Sequence, residues 1–193
     1  AVTAAYCVLG DGPVEGKVVL VQGGAGGVGR AAVEIAKWAG ATVVATASTP
    51  ERQEVARQAG ADFVFDYRDP DIIFDIREAV GSVDRIIEVN LSANLEMDLE
   101  VSKPDTVVVV YASTGADIQI PTRQLMIAGL VLEFMLLYTV AADKLATAVS
   151  QVESALAEGA LTMPPVRYFE LDDIVSAHET QEAGAPSRLV IRL

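Results

Sequence analysis

The stretch Val18-Val19-Leu20-Val21-Gln22-Gly23-Gly24-Ala25-Gly26-Gly27-Val28-Gly29 constrains this chain more than any other. It is an apolar strand that runs into Gly-x-Gly-x-x-Gly and then into a helix. Each glycine has a physical reading. Gly24 permits a tight turn, Gly26 lets the backbone approach a pyrophosphate with no Cβ in the way, and Gly29 lets the helix pack closely on the strand. Ala25, Gly27 and Val28 complete the turn. The helix that follows offers unpaired N–H groups and a positive dipole end to an anion. Such a turn is weak evidence alone, and its context decides.

From Lys17 onward, strand-like apolar runs alternate with helix-like segments, the pattern of βαβ units and of a parallel sheet covered on both faces. Strands are expected at Val18–Gln22, Thr42–Ala47, Phe63–Phe65, Arg85–Val89, Thr106–Tyr111 and Leu130–Met135. Helices are expected at Val28–Ala39, Pro50–Ala59, Ile72–Val80 and Ala93–Val101. Pro50, after Ser48 and Thr49, is a clean helix start. The fold class is therefore α/β, a Rossmann-type, doubly wound, six-stranded parallel sheet with helices on both faces. A further amphipathic helix is expected over Ala141–Ala157. The tail then reads as two strands, Val166–Phe169 and Leu189–Leu193, around a helix from Leu171 to Gln181. The tail does not continue the rhythm of the core, which spans about 17–137, so residues 160–193 are expected to pack in part on a neighbouring domain.

Composition removes several function classes. The net charge is −13 and the pI about 4.4, with 14 scattered Lys and Arg residues, so nucleic acid and anionic membrane surfaces are poor partners. A mean hydropathy of +0.36 implies a large core. The run Leu125–Ala142 is nearly uncharged, but Glu133 at its centre and the β-branched Val131 read as a soluble strand rather than a membrane helix. A single cysteine, Cys7, rules out an internal disulfide and fits a reducing compartment, so a cytoplasmic location is expected. The opening residues, Ala1–Leu9, read as a helix entered from upstream, with no leader pattern before them.

The choice of dinucleotide is made at the end of the second strand, where an acid about 20 residues beyond the turn would bind the ribose 2′-hydroxyl of NAD. The sequence there is Ala45-Thr46-Ala47-Ser48-Thr49-Pro50-Glu51-Arg52. It offers hydroxyls and a guanidinium, and its one acid, Glu51, sits where it serves the helix dipole. A 2′-phosphate suits Ser48 and Arg52, because arginine meets phosphate oxygens with a planar fork. NADPH is the expected cofactor. The missing acid also counts against an adenosyl-dependent methyltransferase on the same fold.

These residues resemble the medium-chain dehydrogenases and reductases, specifically the zinc-free quinone oxidoreductases similar to zeta-crystallin. The resemblance runs through the Gly23–Gly29 turn, Gly60-Ala61-Asp62, Asp66-Tyr67-Arg68, the strands Val83–Val89 and Val107–Tyr111, and Ser176-Ala177-His178-Glu179. It implies that Tyr67 joins Ser48 and Arg52 at the adenosine 2′-phosphate. It also implies that Val89, Tyr111, Ala112, Ser113 and Phe134 surround the nicotinamide. Tyr111 departs from the glycine of many relatives and would narrow that pocket. A substrate domain is expected before this region, a quinone or similar enone as hydride acceptor, and a homodimer paired through the Leu130–Met135 edge.

The short-chain reductases require Tyr-x-x-x-Lys, and none of the five tyrosines has lysine four residues later. One cysteine and one histidine do not make a four-ligand zinc site. His178 reads as a surface helix residue and Cys7 as core. No acid or base is assigned to catalysis, since the protein's part in hydride transfer is to orient the cofactor in a dry cleft. The alternatives are an enoyl-thioester reductase of polyketide-synthase type and a non-catalytic NADPH-binding sensor.

Overall fold

The computed structural model describes residues 1–115, 117–185 and 187–193. Six strands carry the architecture: β1 (Val18–Val21), β2 (Thr42–Thr46), β3 (Phe63–Phe65), β4 (Val83–Glu88), β5 (Ser102–Val110) and β6 (Val131–Phe134). They form one parallel sheet in the order β3-β2-β1-β4-β5-β6, the expected Rossmann arrangement. The order reverses between β1 and β4, so the crevice of the fold opens where the glycine turn leaves β1.

Residues within each strand alternate between two buried faces. Val19, Val21, Val43, Ala45, Ile87 and Val109 enter one apolar cluster, while Leu20, Val44, Ile86, Val108 and Val110 enter the other. The first cluster is closed by α1 (Val2–Leu9), α2 (Gly27–Trp38) and α7 (Ala142–Ala157). The second is closed by α4 (Ile72–Val80) and α5 (Leu91–Val101), through Ile72, Ile76, Leu91, Met97 and Val101. Each fully buried aliphatic side chain contributes roughly 1.5–3 kcal/mol, which is why a chain so rich in Val and Ile commits to a two-faced sheet.

Polar ties fix the helices to the sheet. Arg85, buried in β4, donates to the Cys7 carbonyl at 2.6 Å and pairs with Asp11, which pins the end of α1. Tyr6 donates its hydroxyl to Glu133 of β6 at 3.0 Å, so the charge that breaks the Leu125–Ala142 run is used within the fold. Trp38 Nε1 donates to Glu158 at 2.8 Å beyond the end of α7. Among the described residues no helix is long and apolar enough to cross a membrane.

The structure departs from the sequence expectation in four places. A helix, α6 (Thr122–Ala128), precedes β6 and ends at Gly129 in the left-handed conformation. Strand β5 begins at Ser102 and continues through Pro104 and Asp105, the latter at φ 67°, with an irregular register against β4 between Val83 and Arg85. Helix α5 starts two residues earlier than expected, at Leu91.

The fourth concerns the tail. The chain divides into Ala1–Leu161 and Thr162–Leu193. In the second unit β7 (Val166–Glu170) and β8 (Arg188–Arg192) pair in parallel around α8 (Ile174–Glu182), a βαβ unit of its own. The rhythm therefore does continue in the tail, but in a separate two-stranded sheet that does not extend the six. Stacking of Arg167 on Phe169 and of Arg192 on Tyr168 dresses that sheet. The remaining helix of the first unit, α3 (Pro50–Gln58), follows β2.

Candidate functional site

All the chemistry gathers at the C-terminal ends of the parallel strands. At the end of β1, Gly23 takes φ 70° and makes the sharp change of direction. Gly24, read above as the turn glycine, is constrained differently. A Cβ on it would stand 2.8 Å from the Ala45 Cβ. A Cβ on Gly29 would meet the Gly23 carbonyl oxygen at 2.2 Å, so this helix–turn contact tolerates hydrogen only. Gly26 and Gly27 are different again, being exposed on the outer side of the turn. Around Gly27 a Cβ would meet nothing within 4 Å. No side chain caps the start of α2 at Gly26, which leaves the first N–H groups of a helix of 12 residues facing that space. Ala25 and Val28 are half-buried beside it.

The second cluster lies one strand over. Thr49 caps α3 by accepting from the Arg52 N–H at 3.3 Å, and Pro50 occupies the first helical position. Glu51 is held below its ordinary carboxylate range by its own backbone N–H and then by Thr49, in keeping with a role at the helix start. Arg52 is exposed at the same end. The loop after β3 comes alongside, because Arg68 donates through its guanidinium to the Ser48 carbonyl. The same guanidinium grips Asp66 at 3.0 and 2.7 Å, and the Arg68 backbone N–H and side chain hold the Asp66 carboxyl below its usual range. Tyr67, between them, is 48% exposed. Ser48 in the loop after β2, Arg52 in the first turn of α3 and Tyr67 in the loop after β3 thus lie on adjoining segments, and Arg68 joins the two loops. Arg68 closes the Asp66-Tyr67-Arg68 motif, and nothing in the sequence there signals its contact with Ser48.

The third part is a cavity of about 660 Å³ past the ends of β4, β5 and β6. Tyr111, Ala112, Ser113 and Phe134 all line it, together with Asn90, Leu91, Ser92, Met135 and Thr139. Burial raises the Tyr111 phenol above its ordinary pKa. Val89 does not line the cavity and stands between it and the turn, its Cγ1 3.5 Å from where a Cβ on Gly23 would be. Asn90 and the 90–92 rim carry no motif in the sequence. Their only signal is that they follow an apolar strand at the crevice.

Comparison with known proteins follows the same line. Residues 27–154 match the zinc-binding dehydrogenase family. The quinone oxidoreductase of Sus scrofa is 31% identical over 196 residues, spanning 99% of this chain and 59% of that protein. The crystal structure of a 2-haloacrylate reductase superimposes with a TM-score of 0.88 at 25% identity, covering all of this chain and 62% of that one. A mycobacterial protein solved in complex with NADPH has the same fold, with a TM-score of 0.86 at 24% identity over 100% of this chain and 62% of that one. The chain thus spans about three fifths of the length of these relatives.

The zinc in the family's name has no fit here. Among the described residues no three His, Cys, Asp or Glu side chains converge to hold a metal ion. Cys7 is buried in α1, its thiol pushed by desolvation to about 12, and His178 is exposed on α8. The chain belongs to the zinc-binding dehydrogenase family, as a quinone oxidoreductase-like cofactor-binding domain of the medium-chain dehydrogenase and reductase superfamily.

Proposed function

We propose that this chain binds NADPH, and that the protein of which it forms the cofactor domain reduces a quinone or a similar electron-poor enone. The observation that carries the cofactor reading is the pairing of an exposed turn, open around Gly27, with an uncapped helix start at Gly26. Such a cradle suits a pyrophosphate, whose oxygens would accept from the first N–H groups of α2. The preference for NADPH rests on the adjoining loops: Ser48, Arg52, Tyr67 and Arg68 gather hydroxyl and guanidinium groups where an NAD enzyme would place a carboxylate.

When bound, NADPH would supply a hydride at its nicotinamide ring. The residues of this chain orient it. Tyr111, Ala112, Ser113 and Phe134 line the cavity into which that ring would extend, and Tyr111 contributes bulk. The acceptor class is supported by the names of two relatives, a quinone oxidoreductase and a 2-haloacrylate reductase, whose substrates share an activated conjugated bond.

A homodimer fits the exposed edge. Strand β6 closes the sheet, and Met126, Ile127, Val131, Phe134 and Tyr138 are exposed around it. An uncovered apolar edge of this kind invites pairing with a second copy. The cofactor reading is tested by adding the chain to NADPH and following nicotinamide fluorescence. A saturable change is expected, and its absence at protein concentrations far above micromolar would overturn the reading.

A further inference from the structure

The strands are apolar through their centres, yet three of them end on buried polar side chains that gather around Asp98 of α5. Gln22 follows β1, Thr46 closes β2 and Glu88 closes β4, with exposures of 1%, 1% and 0%. The Gly23 N–H donates to Thr46 Oγ1 at 3.1 Å, and the Thr46 hydroxyl donates to Gln22 Oε1 at 2.8 Å. Gln22 Nε2 then donates to Oδ1 of Asp98, fully buried in α5, at 3.0 Å. The Asp98 and Glu88 carboxyl groups are neighbours that interact directly with each other. On its other side Glu88 accepts from Asn94 Nδ2 at 3.0 and 3.2 Å and from the Asn90 backbone N–H.

Two buried carboxyl groups in contact form a hydrogen bond only when one of them carries a proton. Asp98 Oδ2 meets no donor among the described residues. Glu88 accepts from both Asn90 and Asn94, which favours its anion, whereas among the described residues the Asp98 carboxyl accepts from Gln22 alone. That assigns the proton to Asp98, and to Oδ2, the oxygen with no hydrogen-bond partner among the described residues. Desolvation is the leading cause that raises both carboxyl groups, Asp98 well above its ordinary range.

We propose that Asp98 and Glu88 share one proton and act as a positioning pair of the dinucleotide cleft, coupling the glycine turn at Gly23 to the cavity rim at Asn90. The inference rests on the dinucleotide reading above. With the proton in place, an unbroken chain of hydrogen bonds holds the two ends of the cleft in one arrangement. When the proton leaves to solvent, two buried anions repel and the Asp98 turn of α5 is pushed from the end of β4.

Among the described residues the surroundings supply no counter-charge. From β1 and β2 the pair meets neutral Gln22 and Thr46, and from α5 neutral Asn90 and Asn94. From β5 it meets Tyr111, whose phenol feels the Glu88 charge. Helix α4 reaches α5 through Arg77 and Glu100, an exposed pair bonded to each other at 3.0 Å.

The test follows the backbone amides of Gly23 and Asn90 by proton–nitrogen NMR as pH is raised, in the wild type and in Asp98→Asn, whose amide mimics the protonated acid. In the wild type the two amides are expected to shift together with one midpoint, and in Asp98→Asn that shared shift is lost. NADPH affinity, measured on both, is expected to weaken about tenfold across the same midpoint in the wild type and to stay level in Asp98→Asn. Amides that do not move, or that move equally in Asp98→Asn, overturn the shared proton. Amides that titrate together while NADPH affinity stays level in the wild type overturn the positioning role. A wild type that binds no NADPH at any pH, its amides still titrating together, overturns the function proposed above while supporting the coupling.

Discussion

The guanidinium of Arg68 donates to the backbone carbonyl of Ser48, 20 residues earlier in the chain, and thereby joins the loop after β3 to the loop after β2. That bond ties the Asp66-Tyr67-Arg68 loop to the segment just before α3. Removing it should act on the cofactor's 2′-phosphate more than on the fold, because the Arg68 side chain is 59% exposed and its ion pair with Asp66 lies at the surface.

Arg68→Ala and Arg52→Ala are each expected to weaken NADPH binding about tenfold or more and to leave NADH binding nearly unchanged, as fits loss of a charge-assisted bond to phosphate. Fluorescence titrations with both nucleotides give the answer. Equal losses for the two would assign these arginines a general structural role. The unfolding midpoint of either variant should stay close to that of the wild type.

The glycine turn separates two kinds of constraint. In Gly29→Ala the new methyl would meet the Gly23 carbonyl oxygen at 2.2 Å. Helix propensity favours alanine by about 1 kcal/mol, but an overlap of this size costs about 1–3 kcal/mol or more, so the steric effect wins. Urea denaturation should show clear destabilisation or failure to fold. Gly27→Ala meets nothing within 4 Å and should fold like the wild type while binding NADPH more weakly. Unchanged binding by Gly27→Ala would remove the pyrophosphate from this turn.

Much of this was legible in the sequence, for identifiable reasons. Val18 to Val21 and Val107 to Val110 read as buried parallel strands because both of their faces are apolar, and Pro50 announced α3. Helix α6 was not legible: its Pro121 and Gly129 boundaries enclose an almost uncharged stretch that merges with β6. The start of β5 was hidden by Pro104 and Asp105, which oppose a strand, yet the pairing of Ser102 with Val83 carries the strand back past them. Arg68 and the Gln22–Asp98–Glu88 chain were invisible for another reason. Arg68 meets Ser48 only because β3 lies beside β2, and Gln22, Thr46 and Glu88 approach Asp98 of α5 only because the sheet runs β2-β1-β4.

The buried acid pair makes stability depend on pH. Asp98 titrates above its unfolded value, near 3.9, so the folded state holds the extra proton in the window between the two. Its contribution is fully present below the unfolded value and is lost as pH rises through the folded one. Urea unfolding of the wild type should therefore show stability falling as pH rises through that window. Asp98→Asn should show a shallower fall, and a slope identical to the wild type would place the titration elsewhere.

At the β6 edge, sedimentation velocity at micromolar concentration is expected to give a dimer. Val131→Lys, which puts a charge on a residue now 48% exposed, should shift it to monomer. A monomeric wild type would contradict edge pairing.

The most direct measurement is a pair of titrations of this chain, one with NADPH and one with NADH, read by nicotinamide fluorescence under one set of conditions. A dissociation constant for NADPH at least about tenfold below that for NADH is expected, since a 2′-phosphate held by Arg52 and Arg68 is worth at least that much. Equal constants, or tighter binding of NADH, would contradict the reading of Ser48, Arg52 and Tyr67 as the 2′-phosphate site.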